Sequence, residues 1–364
     1  MKYILVILIL LQFSCTGNAP SNPDSQFERT RMLDFTAKQI IIPMYADVLS
    51  HSYTLDSLVA NFMLQPNETM VIEMRQAWKS LAISWQYCSM FDFGPAEFSD
   101  GTLFENIGTY PVSVTKIISK IETKDTLFAN FDRDTRGIYA IEYLLFNDSL
   151  NTYKLLTNKA NNDVFYLKKL IQHVIIKVQT VHNAWINGYS QTFIQNTGVQ
   201  AGSSISELYN SFVHSYELMK NYQCGLPFGL KVGQVSTEPT KTEGFYSGIS
   251  TELLYHHNQA LLYFWRGYAR LSPLSSLSGI GFKDYLLSIA TGKQLVEDTE
   301  YQWEQISKQI SLLDRSIPLS VMIDQKMPIL LDVFTELSKH THFLKSDMSS
   351  LLGISITYTS NDGD

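Results

Sequence analysis

The stretch Asn67-Glu-Thr-Met-Val-Ile-Glu-Met74-Arg-Gln-Ala-Trp78-Lys-Ser-Leu81-Ala-Ile-Ser-Trp85-Gln-Tyr-Cys88 decides the fold class. Met74, Trp78, Leu81, Trp85 and Cys88 recur at steps of four, three, four and three. That spacing lines one face of an α-helix. A stripe with two tryptophans has to be covered, so the segment reads as a helix packed against other helices. Asn67, after Pro66, is the expected N-cap. Arg75 and Lys79 flank the stripe as an i,i+4 pair of like charge, so Arg75 is expected to point at a separate partner.

The same period runs outward in both directions. Phe27 to Ser52 is helical in pattern, with Pro43 expected to kink or divide it, and Leu55 to Met63 reads as a second short helix. Phe93-Gly94-Pro95 ends the tryptophan helix, and Asn106 to Pro111 reads as a loop. Helices follow at Val114–Ile121, Val164–Trp185, Ile205–Asn221, Tyr246–Trp265, Phe282–Leu312 and Val321–Leu344. Cys224–Gly233 and Gly279-Ile-Gly281 are breaks, and Asn147–Asn162 is the expected boundary between halves. Ile354, Ile356 and Tyr358 alternate with Ser355, Thr357 and Thr359, which predicts a short closing strand; Asp362-Gly-Asp364 reads as a solvated end. The class is all-α, built from two antiparallel helical-bundle halves, residues 27–150 and 151–364 with an extended tail.

The chain has 364 residues, 45% hydrophobic and 17% charged, enough to bury a substantial core. With a formal net charge of -7 and no basic run or basic-aromatic patch, nucleic acid is not an expected partner. Lys2 and the apolar run Tyr3 to Phe13 precede Ser14-Cys15. The run is too short for a settled transmembrane helix and reads as a lipoprotein signal peptide over residues 1–14. Cys15 then becomes the lipidated first residue, and residues 15–26 form a polar, flexible tether. Gln12 stands where such signals usually carry Leu; an ordinary signal peptide or an uncleaved anchor is the alternative. The expected address is the outer membrane, facing the periplasm, held through the lipid anchor. Cys88 and Cys224 remain; two separate buried thiols are expected, with a disulfide as the alternative.

Asp134-Thr-Arg-Gly137-Ile-Tyr139-Ala-Ile-Glu142-Tyr-Leu-Leu-Phe146 is the candidate site. Asp134 reads as an N-cap, and Ile138, Ile141 and Leu145 share an apolar face. Gly137, lacking a Cβ, admits another backbone or a ligand. Tyr139 and Glu142 are three residues apart and meet on a neighbouring face. Phenolate and carboxylate are hard oxygen ligands, suited to ferric iron or another hard cation. The alternative is a capped core helix whose tyrosine hydroxyl bonds a buried acid. His-Glu-x-x-His, Gly-x-Ser-x-Gly, the phosphate-binding Gly-rich loop and Cys-x-x-Cys-His do not occur. His256-His257 and His340-x-His342 are badly phased for one ion on a helix and read as solvated or helix-end histidines.

Arg136-Gly-Ile-Tyr-Ala-Ile-Glu-Tyr-Leu-Leu-Phe146 resembles the imelysin family of bacterial envelope proteins. Gln76-Ala-Trp78-Lys with Trp85-Gln and Phe93-Gly-Pro95, Asn106-Ile-Gly-Thr-Tyr-Pro111, Glu243-Gly-Phe-Tyr-Ser-Gly-Ile-Ser250, Gly279-Ile-Gly-Phe-Lys-Asp-Tyr285 and Leu351-Leu-Gly-Ile-Ser-Ile-Thr-Tyr358 resemble further blocks of it. The likeness covers essentially the whole mature chain, residues 27–364. It implies two helical bundles with a functional cleft at their interface. The family was named for peptidase activity, while many members are viewed as iron-linked uptake or binding proteins. Of its Gly-x-His-x-x-Glu signature, Gly137 and Glu142 keep their places and Tyr139 stands at the histidine. Tyrosine titrates near 10, so it is a poor base at neutral pH. The substitution argues against inherited zinc-dependent hydrolysis and fits a binding pocket or a ferric oxygen-donor site.

The function expected from this reading is a lipid-anchored envelope protein that binds an iron-related ligand in the inter-bundle cleft, with envelope iron-uptake components as partners. Gly137, Tyr139 and Glu142 are expected to form one wall; Arg75, Ser247 and Ser250 are expected to face it. No catalytic residue is assigned. The alternative is an imelysin-type metallopeptidase using Glu142 as ligand or base. Cys15→Ser is expected to release the protein from the membrane fraction or to block its processing, as read by fractionation and N-terminal mass. A variant that stays membrane-bound and correctly trimmed overturns the lipoprotein reading.

Overall fold

The Met74–Cys88 stripe lies on a helix spanning Glu68–Cys88, and each member of it is buried. Asn67 caps this helix by accepting a hydrogen bond from the Met70 N–H at 2.9 Å. The computed structural model describes residues 28–128, 130–147, 162–272 and 275–358. The leader, Cys15, the tether up to residue 26, residues 148–161 and the Asp362-Gly-Asp364 end lie outside the described residues.

Helices α1 (Ile42–Leu64), α2 (Glu68–Cys88), α3 (Ile138–Phe146) and α4 (Asp163–Ala184) form a first bundle. In it α1 and α3 each pack against both α2 and α4. Helices α5 (Ser204–Leu218), α6 (Ser250–Arg266), α7 (Gly292–Ser311) and α8 (Ile329–His342) form a second. There α6 packs against α5 and α7, and α8 packs against α7 and the π-helical turn Met219–Gly225 that continues α5. The link from α1 to α2, residues 65–67, is too short to do anything but reverse the chain. The protein is all-α, two antiparallel bundles, joined where α6 lies along α2. Trp78, Trp85 and Trp185 fill the first core, and Trp265 and Trp303 the second. Truncating such a side chain costs about 3–5 kcal/mol. Cys88 and Cys224 are both buried and unpaired to each other. Among the described residues no helix is long and apolar enough to cross a membrane.

Several local expectations are corrected. Pro43 does not divide the chain, and Leu55–Met63 is no separate helix. Arg29–Phe35 passes through a π-helical turn, Thr36–Ile41, straight into α1, with Pro43 in its first turn. A missing N–H is tolerated there, and the wider turn before it absorbs the bond that proline cannot make. The loop expected at Asn106–Pro111 begins later, because Leu103–Ile107 is helical. Thr102 and Glu105 form a capping box there, at 3.3 and 2.9 Å, and Asp92 accepts from the Phe104 N–H at 3.0 Å. The boundary drawn at residues 150 and 151 does not follow the packing, since α4 beyond it belongs with α1 and α3. The hairpin Tyr268–Ser272 with Ser275–Ser278, Tyr268 opposite Ser278, was not expected at all.

The closing strand is also corrected. Residues 354–357 keep the alternation, with Ile354 buried and Ser355 and Thr357 exposed, but they form no strand, and among the described residues no strand pairs with them. Asn210 of α5 substitutes for one. Its amide donates to Ser355 O at 3.0 Å and its carbonyl accepts from the Thr357 N–H at 2.7 Å. Asn210→Ala is expected to cost about 2 kcal/mol, measured by denaturant unfolding, and to speed proteolysis after Gly353. A tail as protected as in the parent chain removes this account.

Candidate functional site

The site begins with a close approach of backbone to backbone. Gly137 sits at φ +83° directly against Ile107, and a Cβ there would lie 2.4 Å from Ile107 O. It therefore serves packing, and its neighbour is a carbonyl. Trp78 Nε1 donates to Ile138 O at 2.8 Å, fixing the start of α3 on α2. Gly137 rather than Asp134 stands at the N-cap; Asp134 lies in the preceding 3-10 turn and pairs with Lys116 at 2.9 Å. From Ile138 through Leu145 every residue of α3 is buried. The polar side chains of this helix consequently have to find partners inside the protein.

Tyr139 and Glu142 do reach one cleft, but they bond different groups. Tyr139 Oη donates to Glu243 Oε1, and its ring meets Tyr110 edge-on at 5.2 Å. Gln86 Nε2 donates to the same Glu243 oxygen at 2.7 Å, and Gln223 Nε2 donates to the other. Gln223 Oε1 lies 2.9 Å from His257 Nδ1, and His257 Nε2 lies 2.8 Å from Ser215 Oγ. A buried polar chain thus runs from Tyr139 in the first bundle to Ser215 in the second. Glu142 instead accepts from the Ser247 N–H at 2.7 Å. The cleft has a volume of about 280 Å³ and lies between Tyr110, Val112, Tyr139 and Glu142 on one side and Thr242 and Tyr246 on the other.

The other expected groups fall elsewhere. Arg75 faces away from the cleft: its Nε donates to Leu145 O at 2.7 Å and its guanidinium lies 5.4 Å over the Phe146 ring. It stabilises the carbonyl end of α3, where a cation is favoured. Ser250 is buried in the first turn of α6, with no partner for its hydroxyl among the described residues. Ser247 contributes its backbone N–H, and its side chain also bonds the Glu142 carboxyl. The residues that sequence reasoning missed are Tyr110, Gln86, Gln223, Glu243 and His257. The signal for Gln86 was a glutamine between Trp85 and Tyr87 on a buried helix. The histidines are corrected too: His256 and His257 lie within α6, pointing at Tyr87 and Gln223 respectively, and His340 is wholly buried.

Burial pushes the Glu142 carboxyl up to about 7 and the Glu243 carboxyl up to about 8. Burial also holds His257 down to about 3, so it is neutral. At pH 7 Glu243 is therefore mostly protonated and Glu142 about half so, and a cation could replace these protons. Tyr139, Glu142 and Glu243 offer hard oxygen donors. Among the described residues no three His, Cys, Asp or Glu side chains converge on one point.

These shifts fix the sign of a pH dependence. Both acids bind their protons more tightly folded than unfolded, so their contribution is fully present below about pH 4.5, the unfolded value, and is lost as pH rises through about 7 and 8. Denaturant unfolding is expected to show the parent chain losing about 1–3 kcal/mol between pH 5 and 9 relative to Glu243→Gln. Parallel stability curves for the two proteins refute the assignment.

Comparison with known proteins agrees with this architecture. No protein with a curated description matches the chain. A candidate iron-regulated protein A precursor from Parabacteroides distasonis ATCC 8503 superposes with a TM-score of 0.72 at 16% identity, over 89% of this chain and 95% of that one. An imelysin-like protein from Psychrobacter arcticum 273-4 superposes with a TM-score of 0.70 at 18% identity, over 91% and 97%. At such identities the likeness is one of fold. The sequence model of imelysin, peptidase M75, matches residues 41–328, and the chain belongs to the imelysin family.

Proposed function

We propose that this imelysin-family protein is a lipid-anchored envelope protein whose inter-bundle cleft binds ferric iron or another hard cation, free or chelated, in the service of iron uptake. The observation that carries the reading is a cleft of about 280 Å³ with a phenol and a buried carboxyl on one wall, Tyr139 and Glu142. A second carboxyl, Glu243, stands behind the phenol and accepts its hydrogen bond. The description of one fold neighbour as iron-regulated supports the same direction. Anchoring through Cys15 at the periplasmic face of the outer membrane, beside iron-uptake components, completes the proposal.

Cation binding here exchanges metal for protons, so affinity rises with pH through the range where Glu142 gives up its proton. Tyr139 as a phenolate ligand would colour the ferric complex, whereas the phenol alone absorbs only in the ultraviolet. Ferric iron, supplied as a weak chelate, is expected to produce a visible band that Tyr139→Phe abolishes. Glu142→Gln should weaken binding at least about tenfold with unchanged helix content, since the amide is isosteric but uncharged. Uptake of iron unaffected by either variant overturns the site. A chelator-sensitive peptidase activity that disappears in Glu142→Gln would instead establish the hydrolytic reading after which the family is named.

A further inference from the structure

The cleft that holds Tyr139 and Glu142 is far larger than one ion needs. Its volume of about 280 Å³ is close to that of a small-molecule site, roughly 300 Å³ and upward, whereas a single water needs about 10–15 Å³. A hard cation takes about six oxygen ligands. Tyr139 and Glu142 supply at most three oxygens, and Glu142 is the one acid among the described residues lining the cleft. Glu243 stands behind that lining, and its oxygens already accept from Gln86, Tyr139 and Gln223. About half of the coordination shell therefore has to come from outside the protein.

The remaining lining is aromatic. Tyr110, from the loop before α3, meets Tyr139 edge-on at 5.2 Å. Phe245 and Tyr246, from the turn before α6, meet edge-on at 5.2 Å, and Tyr246 meets Tyr143 of α3 at 5.1 Å. A flat ring entering the cleft is thus received by aromatic groups from two separate parts of the chain, in contacts that favour offset or edge-on geometry. Lys241 is the one cation among the described lining residues, and it pairs with Glu238. A chelator with several free carboxylates would find no guanidinium fork there to receive them.

We propose that the cleft takes its iron as a ferric chelate of one catechol-type ring, a vicinal aromatic diol. The inference rests on the metal reading above and names the form in which the ion arrives. Two catecholate oxygens hold the ion. Tyr139, with release of its phenol proton, and Glu142 displace water from it, and the ring lies between Tyr110 and Tyr246. A dianionic catecholate, a phenolate and a carboxylate together nearly balance the ferric charge.

Oxalate is the control ligand, since it is also a dianion that closes a five-membered ring on iron through two oxygens but has no aromatic face. The full chain, loaded with ferric iron from a weak chelate, is titrated with catechol or with oxalate and followed by its visible band and by equilibrium dialysis. Each affinity is divided by that for ferric nitrilotriacetate in free solution, which removes the ligand's own preference for iron. Catechol is expected to exceed oxalate by at least about tenfold on this scale, with one catechol held per iron. Tyr246→Leu should bring the two ligands within about threefold of each other; Phe245→Leu, on the same wall, takes its place if that variant loses helix content. Equal scaled affinities, catechol that strips the iron from the protein, or a preference that survives the variant overturns the catechol proposal and leaves the metal site standing. Iron that does not bind from the weak chelate at all refutes the metal reading, and this inference with it.

Discussion

The interface between the bundles depends on one carboxyl group, that of Glu243. Gln86 from α2, Tyr139 from α3 and Gln223 from the turn after α5 all donate to its two oxygens. A buried acid left without such partners would cost several kcal/mol. Each donor comes from a separate element, so the four elements can be placed in few ways relative to one another. His257 and Ser215 extend the same constraint into the second bundle. Polar satisfaction, rather than apolar area alone, thereby specifies how the two halves meet.

Much of the fold could be read because periodic burial is a local signal. The Met74–Cys88 stripe, the Asn67 cap and the long helices all follow from residues within a few turns of one another. The misreadings have the opposite character. Leu103–Ile107 is stabilised by Asp92, which lies eleven residues before the helix. The hairpin at Tyr268–Ser278 sits in a serine-rich passage with neither an apolar alternation nor a glycine turn. The tail has the alternation of a strand but obtains its partner from a side chain of α5. In each case the deciding contact comes from outside the pattern that was read.

The site divides in the same way. Tyr139 and Glu142 could be found because a glycine, a phenol and an acid at the head of an apolar helix are conspicuous within one turn. Their pairing could not, since the acid that receives the Tyr139 hydroxyl is 104 positions away. The reading that a tyrosine hydroxyl bonds a buried acid held, with Glu243 in place of Glu142 as that acid. Arg75 was rightly assigned a separate partner, but that partner is the carbonyl end of α3. Glutamines carry little weight in a search for chemistry, yet Gln86 and Gln223 are what hold the buried acid.

The π-helical turn at Met219–Gly225 has a consequence for how such a chain can vary. A wider turn accommodates one residue more than an α-helical turn would, and each residue rotates a helix by about 100°. Gln223 lies inside that turn, so its direction is set by the extra residue. Shortening the segment by one would restore a regular helix, a change that leaves composition and helicity almost untouched. It would also swing Gln223 off Glu243 and carry Leu226–Phe228 out of phase with the second bundle. Length here is as much a determinant of the interface as residue identity, and relatives that differ by a single insertion at this point would align well while meeting their two halves differently.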